Sequence, residues 1–204
     1  MNARLSFIVF LVFAASFVKG QEKKYTDSAV SAYIDACKCV VRLQGNGHDN
    51  AYWLRTINTI RYHHPEFRKA KKILYISFID RNNQNTFSFL SGGRLNSKEI
   101  IAQKELNSGQ IDSLMFTLYA NRFAGYPLKK LVFDCQHPAN AVVFLDQDGS
   151  VFTALNIDFK GTAFNVWRAN GVSKKYEASF GDTCLGKYDL IKSLFQSAGI
   201  KTFN

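Results

Sequence analysis

Proline is scarce, with three in the chain, and no stretch rich in proline and serine, no repeat and no low-complexity block follows residue 20. That excludes an interdomain linker and predicts a single domain over residues 21–204. Long apolar runs are also missing from this region. The best, Ile73 to Ile79, falls far short of the roughly 20 residues a spanning helix needs and reads as a buried strand. Glycine loops that cradle phosphate, carboxylates paired at hydrolase spacing and HExxH-type zinc motifs are absent, so no cofactor and no metal site is expected. No Asn-x-Ser/Thr acceptor occurs, which suits a source that does not glycosylate its exports. Acids are the minority charge, 16 against 26 Lys and Arg, for a net +10. Such a surplus attracts polyanions in general and says nothing about fold.

What is present begins with a leader. Arg4 supplies a positive start, Leu5 to Val18 are almost wholly apolar, and Val18-Lys19-Gly20 suits a cleavage site, so residues 1–20 read as a signal peptide removed before Gln21. The expected product is extracytoplasmic, periplasmic or secreted. Gln21 rather than cysteine follows the cleavage point, so a lipid anchor has no attachment residue. With 47% apolar residues and 18 Phe, the remainder is long enough to bury a substantial core.

Hydrophobic spacing predicts a first helix from about Thr26 to Leu43, with Val30, Tyr33, Ile34, Cys37 and Val41 on one face. A shorter helix through Trp53, Ile57 and Ile60 stops near Pro65. Ile73–Ile79 is the first strand, Asp80–Asn85 its turn and Thr86-Phe87-Ser88-Phe89 the returning strand. Gly92-Gly93 is only a turn signal. Ser108 caps a helix carrying Ile111, Leu114, Met115, Leu118 and Tyr119. Lys130–Asp134, Ala141–Asp146, Val151–Asp158, Ala163–Arg168 and Lys174–Phe180 read as strands, with Asp148-Gly149 and Asn170-Gly171 as positive-φ turn pairs. A last helix runs from Cys184 to Ala198, its inner face carrying Tyr188, Ile191, Leu194 and Phe195, with Gly199 closing it. The expected fold is α+β: an antiparallel sheet, hairpin plus meander, with about four helices packed mainly on one face.

Four cysteines, Cys37, Cys39, Cys135 and Cys184, allow three pairings in an oxidising compartment. A bond between Cys37 and Cys39 closes a very tight ring and fits a helix poorly; Cys135 with Cys184 is the expected disulfide, and the state of Cys37 and Cys39 stays open.

From Glu105 onward, the chain resembles an uncharacterised family of exported Bacteroidetes proteins. The resemblance rests on the helix from Leu106-Asn107-Ser108 to Leu118-Tyr119-Ala120-Asn121 and on Cys135-x-x-Pro138-x-Asn140-Ala141-Val142-x-Phe144. It continues with Asp148-Gly149-x-Val151, a strand ending Ile157-Asp158-Phe159, and Cys184 opening a helix that ends Phe195-x-x-x-Gly199-Ile200. It covers about half of the chain and implies a bacterial, exported protein of unknown activity with Cys135 and Cys184 as structural partners. The family pattern has Arg after the proline and a Cys-Phe-x-Cys segment in the middle strand. Here Ala139 and Ile157-Asp158-Phe159-Lys160 stand there, so any metal or redox site built on those cysteines is lost.

Three constellations carry possible chemistry. Cys135-Gln136-His137, with Cys184 and Cys37, supplies a thiol and an imidazole, but without the paired spacing of zinc sites it reads as a disulfide beside a loop histidine. A papain-like hydrolase would use His137 as base and Cys39 as the better nucleophile, yet both Cys37 and Cys39 fall inside a predicted helix, away from its N-terminus. The segment His63, His64, Arg68, Lys69, Lys71 and Lys72, with Tyr62, Phe67 and Tyr75, mixes cations and aromatics as polyanion sites do, against the plainer reading of a solvated lead-in to a strand. The aromatics Phe87, Phe89, Phe144, Phe152, Phe159 and Phe164, placed on strands, read as core. The leading expectation is a non-enzymatic binding or structural module of the cell envelope or exterior. The Cys/His hydrolase, and a polyanion-binding protein using Arg68, Lys69, Lys71 and Lys72, are the alternatives.

Overall fold

A computed structural model describes residues 39–41, 50–79, 87–123, 139–176, 178–184 and 186–202. Its central sheet is antiparallel. Strand β2 (Lys72–Phe78) lies between β5 (Ile100–Glu105) and β7 (Asn140–Leu145), and β7 leads through β8 (Val151–Asp158) to β9 (Ala163–Arg168), in the order β5-β2-β7-β8-β9. Among the described residues four α-helices accompany it: α1 (Asn50–His63), α2 (Glu66–Lys69), α3 (Ser108–Tyr119) and α4 (Lys187–Ser197). The α+β class with an antiparallel sheet is therefore the observed architecture.

The period of two along β2 and β7 sorts side chains to opposite faces. Ile73, Tyr75, Val142 and Phe144 enter a core shared with Ile57 and Ile60 of α1, Phe67 of α2, Leu114, Met115 and Leu118 of α3, and Ile191 and Phe195 of α4. Leu74, Ile76, Phe78, Ala141, Val143 and Leu145 face the other way, where a second core is closed by Phe89 with Phe87, Leu90, Leu95 and Trp167. All four helices thus lie on one face, and irregular chain with a small hairpin covers the other. A β-bulge makes Phe152 the extra residue between the pairs Leu145↔Val151 and Phe144↔Thr153. That bulge lets Phe152 join the helix-side core although Ala154, two residues on, packs on the back face.

Several expected elements move. The predicted first helix is corrected at its C-terminal end: Cys39–Val41 form strand β1, paired antiparallel with β6 (Asn121–Phe123). Two adjacent β-branched valines favour an extended chain once a partner is supplied. The rest of that prediction, residues 26–38, lies outside the described residues, as does the strand expected at 130–134. The returning strand is not 86–89. Residues 87–89 form a turn that drops Phe87 and Phe89 onto the back face, and the partner of β2 is β5, with Leu74 opposite Glu105 and Ser77 opposite Ala102. Between them, β3 (Leu90–Ser91) and β4 (Arg94–Leu95) make a tight hairpin whose Gly92 and Gly93 both have positive φ, 57° and 76°.

The N-cap of helix α3 lies one residue earlier than expected. Asn107, not Ser108, is the N-cap: its side chain accepts from Gln110 N–H at 2.9 Å, and the Gln110 side chain accepts from Asn107 N–H at 3.0 Å. The β7–β8 turn uses positive φ at Gly149 alone, 81°. Gly149 N–H donates to Asp146 O, and Asp146 N–H to Ser150 O, the pattern of a type I turn with a glycine bulge. The next turn lies at 159–162, where the Asp158 carboxylate accepts from Lys160 and Gly161 N–H. Past Gly171, the expected strand 174–180 is instead a 3₁₀ turn, Lys174–Tyr176, followed by irregular chain. Helix α4 begins at Lys187, three residues after Cys184, and ends in a Schellman motif: Gly199 N–H donates to Gln196 O and Ile200 N–H to Phe195 O. No described helix is long and apolar enough to cross a membrane.

Candidate functional site

The back face of the sheet holds a cleft of about 470 Å³, within the size range of small-ligand sites. Lys72 and Leu74 of β2, Gln103 and Glu105 of β5, and Leu145 of β7 line it from the sheet, Arg94 and Leu95 of the β3–β4 hairpin from above, and Gly149 from the β7–β8 turn. The hairpin is tied to the sheet because Val151 N–H donates to Gly93 O at 2.8 Å, and its base is closed by Asn96 N–H donating to Phe89 O. The Lys72 ammonium donates to Glu105 at 2.9 Å across the strands. On the turn, Asp148 accepts from Ser150 N–H and Oγ. Those bonds, chiefly the backbone one, hold its carboxyl below the usual range, and nearby Arg94 adds to the effect. The cleft is therefore lined by leucines, with the Lys72–Glu105 ion pair on the sheet side of its rim and Arg94 on the hairpin side.

A second polar cluster sits where α3 ends. The Tyr119 ring stacks on His64 with centroids 3.6 Å apart, and its hydroxyl donates to Ser179 O at 3.1 Å. Glu66, 1% exposed, places Oε1 3.5 Å from His64 Nδ1. Burial, reinforced by the Glu66 charge, pushes the Tyr119 phenol well above its ordinary value. Next to it the fully buried Lys187 donates to Leu118 O at 2.6 Å and Phe180 O at 3.2 Å, placing an ammonium on the negative end of α3. Gly181 permits that approach: its φ is +66°, and a Cβ there would lie 2.3 Å from Leu118 O. These contacts fasten α3 to the chain before α4. Arg61 and Asp112 form a further ion pair between α1 and α3.

The basic segment is split rather than gathered. Lys69 lies 4.4 Å from the Phe152 ring centroid and 4.7 Å from that of Tyr176, with Asp146 at 3.6 Å. Lys72 belongs to the cleft, whereas Arg68 and Lys71 are exposed. Of the associated aromatics, Tyr62 is 73% exposed, but Phe67 and Tyr75 are buried in the core and cannot stack on a ligand. Phe144, Phe152 and Phe164 lie on strands as expected, while Phe87, Phe89 and Phe159 fill the core from turns.

Cys184 is buried and disulfide-bonded. Cys37, Cys135 and His137 lie outside the described residues, and Cys39 is on β1 rather than in a helix. Among the described residues no group of three or more His, Cys, Asp or Glu is placed to hold a metal ion. The sequence reading missed Arg94, Gln103 and Glu105, because they come together only through the β2–β5 pairing and the hairpin fold. Compared with known proteins, the chain matches no family, no curated protein and no solved structure.

Proposed function

We propose that the chain is an exported, non-enzymatic binding module that takes its ligand in the cleft between the β3–β4 hairpin and the back of the sheet. The observation that carries this reading is the cleft's composition, an apolar floor with polar groups fixed at its rim, which is how binding pockets combine affinity with orientation. The leader at residues 1–20, ending before Gln21, and the disulfide at Cys184 support an oxidising, extracytoplasmic setting. Cys135 is the proposed partner of Cys184. The test is a screen of small amphiphilic fragments against the isotope-labelled protein, with amide shifts mapped by NMR. Shifts gathered on residues 72–74, 94–95, 103–105 and 145–149 support the reading. Shifts scattered elsewhere, or none at millimolar fragment, overturn it.

A further inference from the structure

Resting on that cleft reading, we infer that the ligand is a short extended peptide segment carrying an aliphatic residue between charges of opposite sign. Leu74, Leu95 and Leu145 line a floor suited to an aliphatic side chain. The rim carries two cations and one acid: Lys72 is paired with Glu105 at 2.9 Å on the sheet side, and exposed Arg94 stands on the hairpin side. A polyanion entering the cleft meets Glu105 as well as the cations, so a run of like charges is repelled there. A ligand with both signs exchanges partners instead, its acid against Arg94 and its base against Glu105. Exposed Gln103, two residues before Glu105 on the same strand, offers the paired amide donor and acceptor that a peptide bond satisfies. Strand β5 also ends the described sheet, so an extended chain can lie along it without displacing a described strand.

The probe is a fluorescein-labelled peptide, Glu-Gly-Leu-Gly-Lys, compared by anisotropy with the all-acidic Glu-Gly-Leu-Gly-Glu. The mixed-charge peptide is expected to bind the full-length mature protein at least fivefold more tightly. Arg94→Gln and Glu105→Gln, both surface changes, should each weaken it about five- to tenfold, and Arg94→Glu should reverse the preference toward a Lys-Gly-Leu-Gly-Lys peptide. Absence of peptide binding, equal or tighter binding of the acidic peptide, or indifference to both neutral substitutions would overturn the inference. If fragments still map to the cleft while the peptide fails, the ligand class falls and the cleft reading stands. If fragments map elsewhere, both fall.

Discussion

Tyr75 offers the sharpest test of the energetics. Its ring is 1% exposed and stacks on Phe195 with centroids 4.0 Å apart, while its hydroxyl finds no hydrogen-bond partner among the described residues. Tyr75→Phe keeps the ring and the stack and removes a buried hydroxyl that has no partner among the described residues. Burying an unsatisfied group of this kind costs about 1–2 kcal/mol, so the variant should be more stable by that order. Burial also pushes the Tyr75 phenol well above its ordinary value, as it does that of Tyr119. The sign follows. The fold favours the neutral phenol, so each contribution is complete below the unfolded value near 10 and is lost as pH rises from there through the raised folded value. At pH 11 each phenol takes away on the order of 1 kcal/mol. Urea unfolding of the wild type and Tyr75→Phe at pH 8 and pH 11 measures both effects. The advantage of the variant should widen by on the order of 1 kcal/mol at the higher pH, since the Tyr75 titration is gone. A variant less stable at pH 8 by more than about 1 kcal/mol, or a gap that narrows at pH 11, would refute the reasoning.

Gly181→Ala should destabilise by about 2–4 kcal/mol, since it combines a left-handed φ with a clash against Leu118 O, and a lower urea midpoint at unchanged slope would register it. Lys69→Met, which keeps most of the aliphatic stem, should lose about 1–2 kcal/mol through its contacts with Phe152, Tyr176 and Asp146. A thermal midpoint equal to that of the wild type would show that Lys69 is not a structural clasp. Non-reducing peptide mapping should recover Cys184 joined to Cys135, and a Cys184 peptide joined to Cys37 or Cys39 would reject the pairing. On immobilised heparin, retention should be modest and should fall with Arg68→Ala and Lys71→Ala more than with Lys69→Ala, because Asp146 already neutralises Lys69. The opposite ranking would restore the whole basic segment as the anion site.

Local periodicity made α3, β7, β8 and α4 readable, because each buries one regular stripe or lies wholly in the core. Strand β5 escaped for the converse reason. It is an edge strand ending Gln-Lys-Glu, with four of its six residues exposed, so no apolar alternation marks it. Thr86-Phe87-Ser88-Phe89 imitated it with a clean alternation that a turn satisfies equally well. Cys39-Val40-Val41 sat within an acceptable helical pattern, and only the distant Asn121–Phe123 makes it a strand. The cleft was invisible for the same reason. Its residues come from separate stretches of chain between Lys72 and Gly149, and no spacing rule reports a juxtaposition made by sheet register.

The hydrogen bond from Val151 to the Gly93 carbonyl has an evolutionary corollary. It suspends the hairpin by its backbone, so the identity of exposed Arg94 is free to vary without disturbing that anchor, whereas Leu95 packs against the back core. Leu74 and Leu145 are core residues and are not free in this way. If the proposed cleft binds a ligand, its selectivity can therefore drift at Arg94 while the scaffold stays constant.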